Sequence, residues 1–193
     1  MYIQSFFTAQ TESSNIYGID GINKATEKVH YTRTGISNND FAHTHKYKGL
    51  LEEATVINEG DMLVNAENDK FLVTSLRKTA FSNQANMLKC DSTCSIYSLT
   101  NKYVKTQIVG KKMTPLKENI PCVQKDTNGK INFFDASLLE TTIKVVYIQT
   151  VDGVKITDRL VVDNKAYQID SIDAASIKGL TVLQLSRDKR DFE

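Results

Sequence analysis

One short unit is written twice along this chain, and it constrains the fold more than any other feature. Residues 60–76 read GDMLVNAENDKFLVTSL, and residues 157–172 read TDRLVVDNKAYQIDSI. In each, an acidic residue opens a short apolar run: Asp61 before Met62, Leu63 and Val64, and Asp158 before Leu160, Val161 and Val162. A polar Asn/Asp/Lys turn follows. An aromatic then leads an alternating segment, Phe71, Val73 and Ser75 in one copy and Tyr167, Ile169 and Ser171 in the other. Alternation with period two on both sides of a polar turn marks a hairpin with one buried face. The acids belong to the turn chemistry, where a carboxylate accepts backbone N–H groups as the chain enters a strand.

The remainder of the chain from Gly60 onward carries the same signal. Residues 87–90 form a further candidate strand. Ile96, Tyr97 and Leu99 precede a candidate Asn101-Lys102 turn, and Tyr103, Val104, Ile108 and Val109 follow it. Asn128-Gly129 suits a type I′ turn, in which both central residues take positive φ. Residues 141–150 give the clearest strand, closed by an Asp152-Gly153 turn, and residues 179–187 give the last. Only two prolines interrupt the chain, and β-branched residues abound. Residues 135–142 hold one short helical turn. The expectation is a mainly β fold of two small related barrel or sandwich-like units in tandem, at about 60–125 and 140–193, together making a core over 60–193.

Residues 1–59 read differently. They are rich in Asn, Thr, Ser and Gly, and their apolar residues are scattered. Short strands are expected at 1–8 and 28–34, with at most a short helix over 41–53 capped by Asn39 or Asp40. The region is expected to be an irregular arm or connection, ordered by lying against the rest of the chain or a neighbouring subunit.

With 24 basic and 23 acidic residues the net charge is +1, which argues against a chain devoted as a whole to gripping nucleic acid. No apolar run approaches the roughly 18 residues that span a bilayer. The first residues lack the basic start and apolar stretch of a secretory signal, so neither secretion nor membrane insertion is expected. Three cysteines, Cys90, Cys94 and Cys122, make an odd set without a disulfide framework's spacing.

Sharper chemistry finds little support. His43 and His45 form a His-x-His pair that would need ligands such as Cys90, Cys94 or Cys122, but no second pair has zinc-like spacing. Cys90 lacks the glycine turn of a nucleophile elbow and fits the end of a core strand. No catalytic, cofactor-binding or metal-binding residue is assigned, and no cofactor is expected. The stretch 101–117 holds Lys102, Lys105, Lys111, Lys112 and Lys117 without an acid. Such a run either solvates an exposed hairpin or meets DNA or an acidic partner.

The pattern from Gly60 onward resembles the neck and head–tail connector proteins of tailed bacteriophages, the head-closure or head-completion group. The residues that carry the resemblance are Gly60-Asp61, Phe71-Leu72-Val73-Thr74-Ser75 and Met87-Leu88-Lys89-Cys90-Asp91. The IDSID segment, Gly179 and LTVLQLSRD near the C-terminus complete it. The resemblance implies a non-enzymatic virion structural protein, assembled in the host cytoplasm as a homo-oligomeric ring. Its partners would be the portal or an adaptor on one side and a tail protein on the other, with packaged DNA in the channel and no membrane. Two related units would then serve the two sides of an adaptor. Candidate assembly contacts are the aromatics Phe6, Phe7, Phe41, Tyr47 and Phe81, which bury much area at little entropic cost. The lysine run would meet DNA or an acidic partner. A tail-completion or baseplate component is the alternative implied by the same resemblance. An OB-like nucleic-acid-binding module, using the lysines with Tyr97 and Tyr103, is a reading from another class.

Overall fold

A computed structural model describes residues 11–34, 45–79, 82–127, 138–139 and 141–190. Among the described residues the secondary structure is entirely β, and no helix is long and apolar enough to cross a membrane. The first six strands are β1 (Glu12–Tyr17), β2 (Asn23–Arg33), β3 (Lys46–Leu51), β4 (Met62–Val64), β5 (Lys70–Lys78) and β6 (Asn83–Lys89). They close into a barrel in the order β1-β2-β3-β6-β5-β4. The next six are β7 (Ser92–Val104), β8 (Gln107–Asp126), β9 (Lys144–Gln149), β10 (Arg159–Val162), β11 (Lys165–Asp173) and β12 (Leu180–Arg187). They close into a second barrel in the order β7-β8-β9-β12-β11-β10. Counted from its own first strand, each barrel has the same order, 1-2-3-6-5-4. The expectation of two related β-barrel units in tandem is met.

The repetition extends to single residues. In the first barrel Ile16 pairs with Leu63, and Leu63 with Phe71; in the second Ile96 pairs with Leu160, and Leu160 with Tyr167. A bulge follows at the same step of the next pairing, between Val73 and Ser75 and between Ile169 and Ser171. The residue before each acid has a left-handed backbone, Gly60 at φ 85 and Thr157 at φ 79. Each acid is almost fully buried and does the turn work expected of it. Asp61 accepts the Asn58 N–H at 2.8 Å, and Asp158 accepts the Lys155 N–H at 2.8 Å. Asp61 also binds the Lys24 ammonium at 2.7 Å. The copies part at the hairpin turn. The second is closed by Asp163 and Asn164, at φ 50 and 59, the two positive values of a type I′ turn.

Each barrel has its own core, set by the inward positions of alternating strands. Ile16, Val29, Leu51, Leu63, Phe71, Val73 and Met87 fill the first. Ile96, Val146, Ile148, Leu160, Ile169, Leu183 and Leu185 are prominent in the second.

Three expectations are corrected. The proposed arm over 1–59 contains β1, β2 and β3, half the wall of the first barrel. The unit boundaries move with it. The chain divides into Met1–Asp91 with Ala174–Leu180, and Ser92–Asp173 with Thr181–Glu193. The physical reason is the composition of these strands. They place few apolar residues inward, and Ser14, fully buried, satisfies its hydroxyl against the Tyr31 phenol at 2.7 Å. A core position filled by a hydrogen-bonded polar pair leaves no apolar alternation to read. The short helix expected over 41–53 is also replaced, since 46–51 is strand β3. There Gly49 faces Tyr31, and a Cβ on Gly49 would lie 2.8 Å from Met87 Cε. Finally, the turn expected at Asn101-Lys102 is continuous strand, and the chain reverses at Lys105-Thr106. The Asn128-Gly129 turn and the strand at 1–8 lie outside the described residues.

Candidate functional site: a basic ribbon on the second barrel

Among the described residues the two barrels differ at one connection. In the first, β1 passes to β2 through a tight turn over 18–22, where Gly18 N–H bonds the Ile22 carbonyl at 2.9 Å. In the second, the equivalent strands continue together. Their pairing runs from Tyr97 opposite Pro115 out to Val104 opposite Gln107. Strand β10 meets β7 only over 94–97, and β9 meets β8 only over 122–126. Residues 98–114 therefore form a two-stranded ribbon that leaves the barrel wall, about 20 Å long at the usual rise per residue.

Register assigns the faces of the ribbon. Ser98 lies opposite Thr114, Thr100 opposite Lys112, and Lys102 opposite Gly110, so these six share one face. Tyr97 and Pro115, with Leu99 and Met113, share the other. Thr100, Lys102, Lys105, Lys112, Thr114 and Lys117 are all exposed. Residues 98–119 carry five lysines and one acid, Glu118. That segment is +4 in a chain of +1, so the remainder is −3.

The base of the ribbon is tied down. Tyr97 donates its phenol to Glu118 Oε1 at 3.0 Å, and this bond raises the phenol's pKa. Arg159 points a guanidinium nitrogen at the Met113 sulfur, 3.5 Å away. Leu116 lies against the turn at Gly153. Glu118, the single acid of 98–119, is thus engaged at the foot. Both prolines of the chain lie in β8, and Pro115 stands on its open edge. Lysine and proline on an open edge discourage addition of another strand, so the ribbon is built to be met by its side chains.

No protein-family model, curated protein or solved structure matches this chain.

Of the residues singled out in the sequence, the structure gathers the lysines and disperses the rest. Lys102, Lys105, Lys112 and Lys117 belong to the ribbon and its foot, and Lys111 pairs with Asn101 in its backbone ladder. Tyr47, expected at an assembly contact, is half-buried with its ring edge-on to Phe71, centroids 5.2 Å apart. Tyr31 stacks on the same ring at 4.6 Å, so Tyr47 belongs to an aromatic plug of the first barrel. Phe6, Phe7, Phe41 and Phe81 lie outside the described residues. So does His43, while His45 Nε2 is 3.8 Å from Asp91. Cys94 and Cys122 are in the core of the second barrel, and Cys90 is half-buried. Among the described residues no three His, Cys, Asp or Glu side chains are grouped to hold a metal ion.

One arrangement had no sequence signal. The charged C-terminal stretch reads as a solvated end, yet the Asp188 carboxylate is fully buried between two arginines. Arg159 Nε bonds it at 2.8 Å and Arg190 Nε at 2.8 Å. Burial by itself would raise the Asp188 carboxyl, but the hydrogen bonds from Arg190 and Arg159 outweigh it and hold the group well below the usual carboxylate range. Arg190 also donates to the Thr157 carbonyl at 2.7 Å and so clamps the left-handed turn at the start of the repeated unit.

Proposed function

We propose that this chain is a structural adaptor of a tailed-bacteriophage particle, a head-closure protein that joins copies of itself into a ring between portal and tail. The observation that supports the reading is the tandem of two closed barrels with one strand order, of which, among the described residues, only the second carries a projecting ribbon. A duplicated unit with one differentiated copy suits a part that must meet two unlike neighbours. The resemblance from Gly60 onward supplies the setting, and the barrels supply rigid bodies from which loops and a ribbon can make contacts. The function lies in interfaces, so its signature is mass.

Light scattering on the purified chain, alone and with the candidate portal protein, tests it. A ring, or a monomer that enters a ring when portal is added, is the expected result. A monomer indifferent to portal would overturn the neck reading.

A further inference from the structure

We propose that the ribbon over 98–114 is a docking arm for the phosphate backbone of duplex nucleic acid. The inference shares with the adaptor reading the premise that the ribbon is a contacting element, and it names the partner.

Three observations carry it. The first is that the ribbon is an addition. Strands β1 and β2 show that the same connection closes with a turn of a few residues, so the extension serves nothing that barrel closure requires. The second is the chemistry of one face. Ser98, Thr100, Lys102, Lys112 and Thr114 offer only hydroxyl and ammonium groups, and the sixth position is Gly110. Phosphate contacts are made by such donors. The core of a protein–protein interface is instead depleted of Lys and Ser and enriched in aromatic residues and Met. The composition therefore favours a phosphate backbone over an acidic protein surface. The third is shape and charge together. A two-stranded ribbon fits the roughly 12 Å width of the major groove. Residues two apart on one face are about 7 Å apart, near twice the axial rise per phosphate of one strand. The lysines also lie in a segment of +4 set against a remainder of −3, so the excess of positive charge in the chain is carried by this segment. Lysines act here as point charges on phosphates, which gives binding without sequence preference.

The test is fluorescence anisotropy of a labelled random-sequence DNA duplex titrated with the full chain over a salt series. Binding is expected at low salt, and the logarithm of its affinity should fall with the logarithm of salt at a slope of about −2 to −4, as two to four phosphates are neutralised. A variant in which residues 98–114 are replaced by the 18–22 turn of the first copy should lose at least about tenfold in affinity at low salt. So should the double variant K102E/K112E, with an unchanged circular-dichroism melt; because it keeps the ribbon, it serves if the graft fails to fold. No binding by the parent chain, or binding that survives both changes, overturns the proposal. Equal displacement of the duplex by poly-glutamate of matched charge also overturns it, in favour of an acidic protein partner. The mass of the same samples keeps the two readings apart. A ring that ignores DNA defeats the ribbon proposal alone, and a monomer that binds DNA through the ribbon defeats the ring alone.

Discussion

Thr157 occupies a place where its counterpart is glycine, and that difference has a calculable consequence. At φ 79 a β-branched residue is held in the left-handed region, while Gly60 sits at φ 85 in the other copy. Left-handed backbone costs an L-residue about 1–2 kcal/mol, because Cβ crowds the following carbonyl oxygen. Thr157→Gly removes that cost. The Thr157 side chain is exposed, so no packing is lost. Its N–H bond to the Ile169 carbonyl at 2.8 Å and the Arg190 bond to its own carbonyl are made by the backbone and survive. Against the gain stands the greater freedom of glycine in the unfolded chain, about 0.4–1 kcal/mol. The net expectation is a stabilisation of about 0.5–1 kcal/mol. Urea unfolding followed by far-ultraviolet circular dichroism should show a higher midpoint at unchanged slope. Gly60→Thr should move the midpoint the other way. A lower midpoint for Thr157→Gly at unchanged slope would refute the argument from strain and show that the threonine side chain stabilises the turn.

The Asp188 network and the Tyr31 plug give two further expectations. Asp188→Asn leaves Arg159 and Arg190 without their buried anion and should cost about 3–5 kcal/mol in denaturant unfolding. In the parent chain the folded Asp188 carboxyl titrates below its unfolded value of about 3.9, so its stabilisation is complete above that pH. It is lost as pH falls through the acid range, at up to about 1.4 kcal/mol per pH unit, and D188N should flatten the acid limb of a stability-against-pH curve. Tyr31 behaves in the opposite sense. Burial pushes its phenol up to about 12 from 10.0, so the folded state holds a proton that the unfolded state releases. Stability should therefore fall by about 2–3 kcal/mol between those two values, and Tyr31→Phe should remove that alkaline loss, as read by unfolding midpoints across the pH range.

The β class and the doubling were legible where turns and alternation coincide. Residues 60–76 and 157–172 announce themselves because an acid, an apolar run, a polar turn and an aromatic recur in order. The full extent of the repeat was concealed by its spacing. Asn15-Ile16-Tyr17 and Ser95-Ile96-Tyr97 are equivalent and stand 80 residues apart, whereas Leu63 and Leu160 stand 97 apart. The ribbon and a longer loop account for the slippage, so no single period exists to be found. The lysine run was visible as charge, but as a candidate hairpin with its turn misplaced. That it projects beyond the wall depends on where β9 and β10 stop pairing, which only their partners decide.

The sequence by itself determined most of the strands from Gly60 onward, several of the reversals between them and the division of labour within the repeated unit. These are local matters of φ preference, alternation and side chains that bond nearby N–H groups. The tertiary structure decided the rest. It enlisted residues 12–51 in a barrel through hydrogen bonds between distant strands and a buried serine–tyrosine pair. It folded a charged C-terminal stretch inward because Asp188 meets Arg159 from another strand. It also gave the lysines their exposure by withholding a third strand from 98–114. Closure of a barrel is a pairing of residues far apart in the chain, and local sequence carries no energy term that reports it.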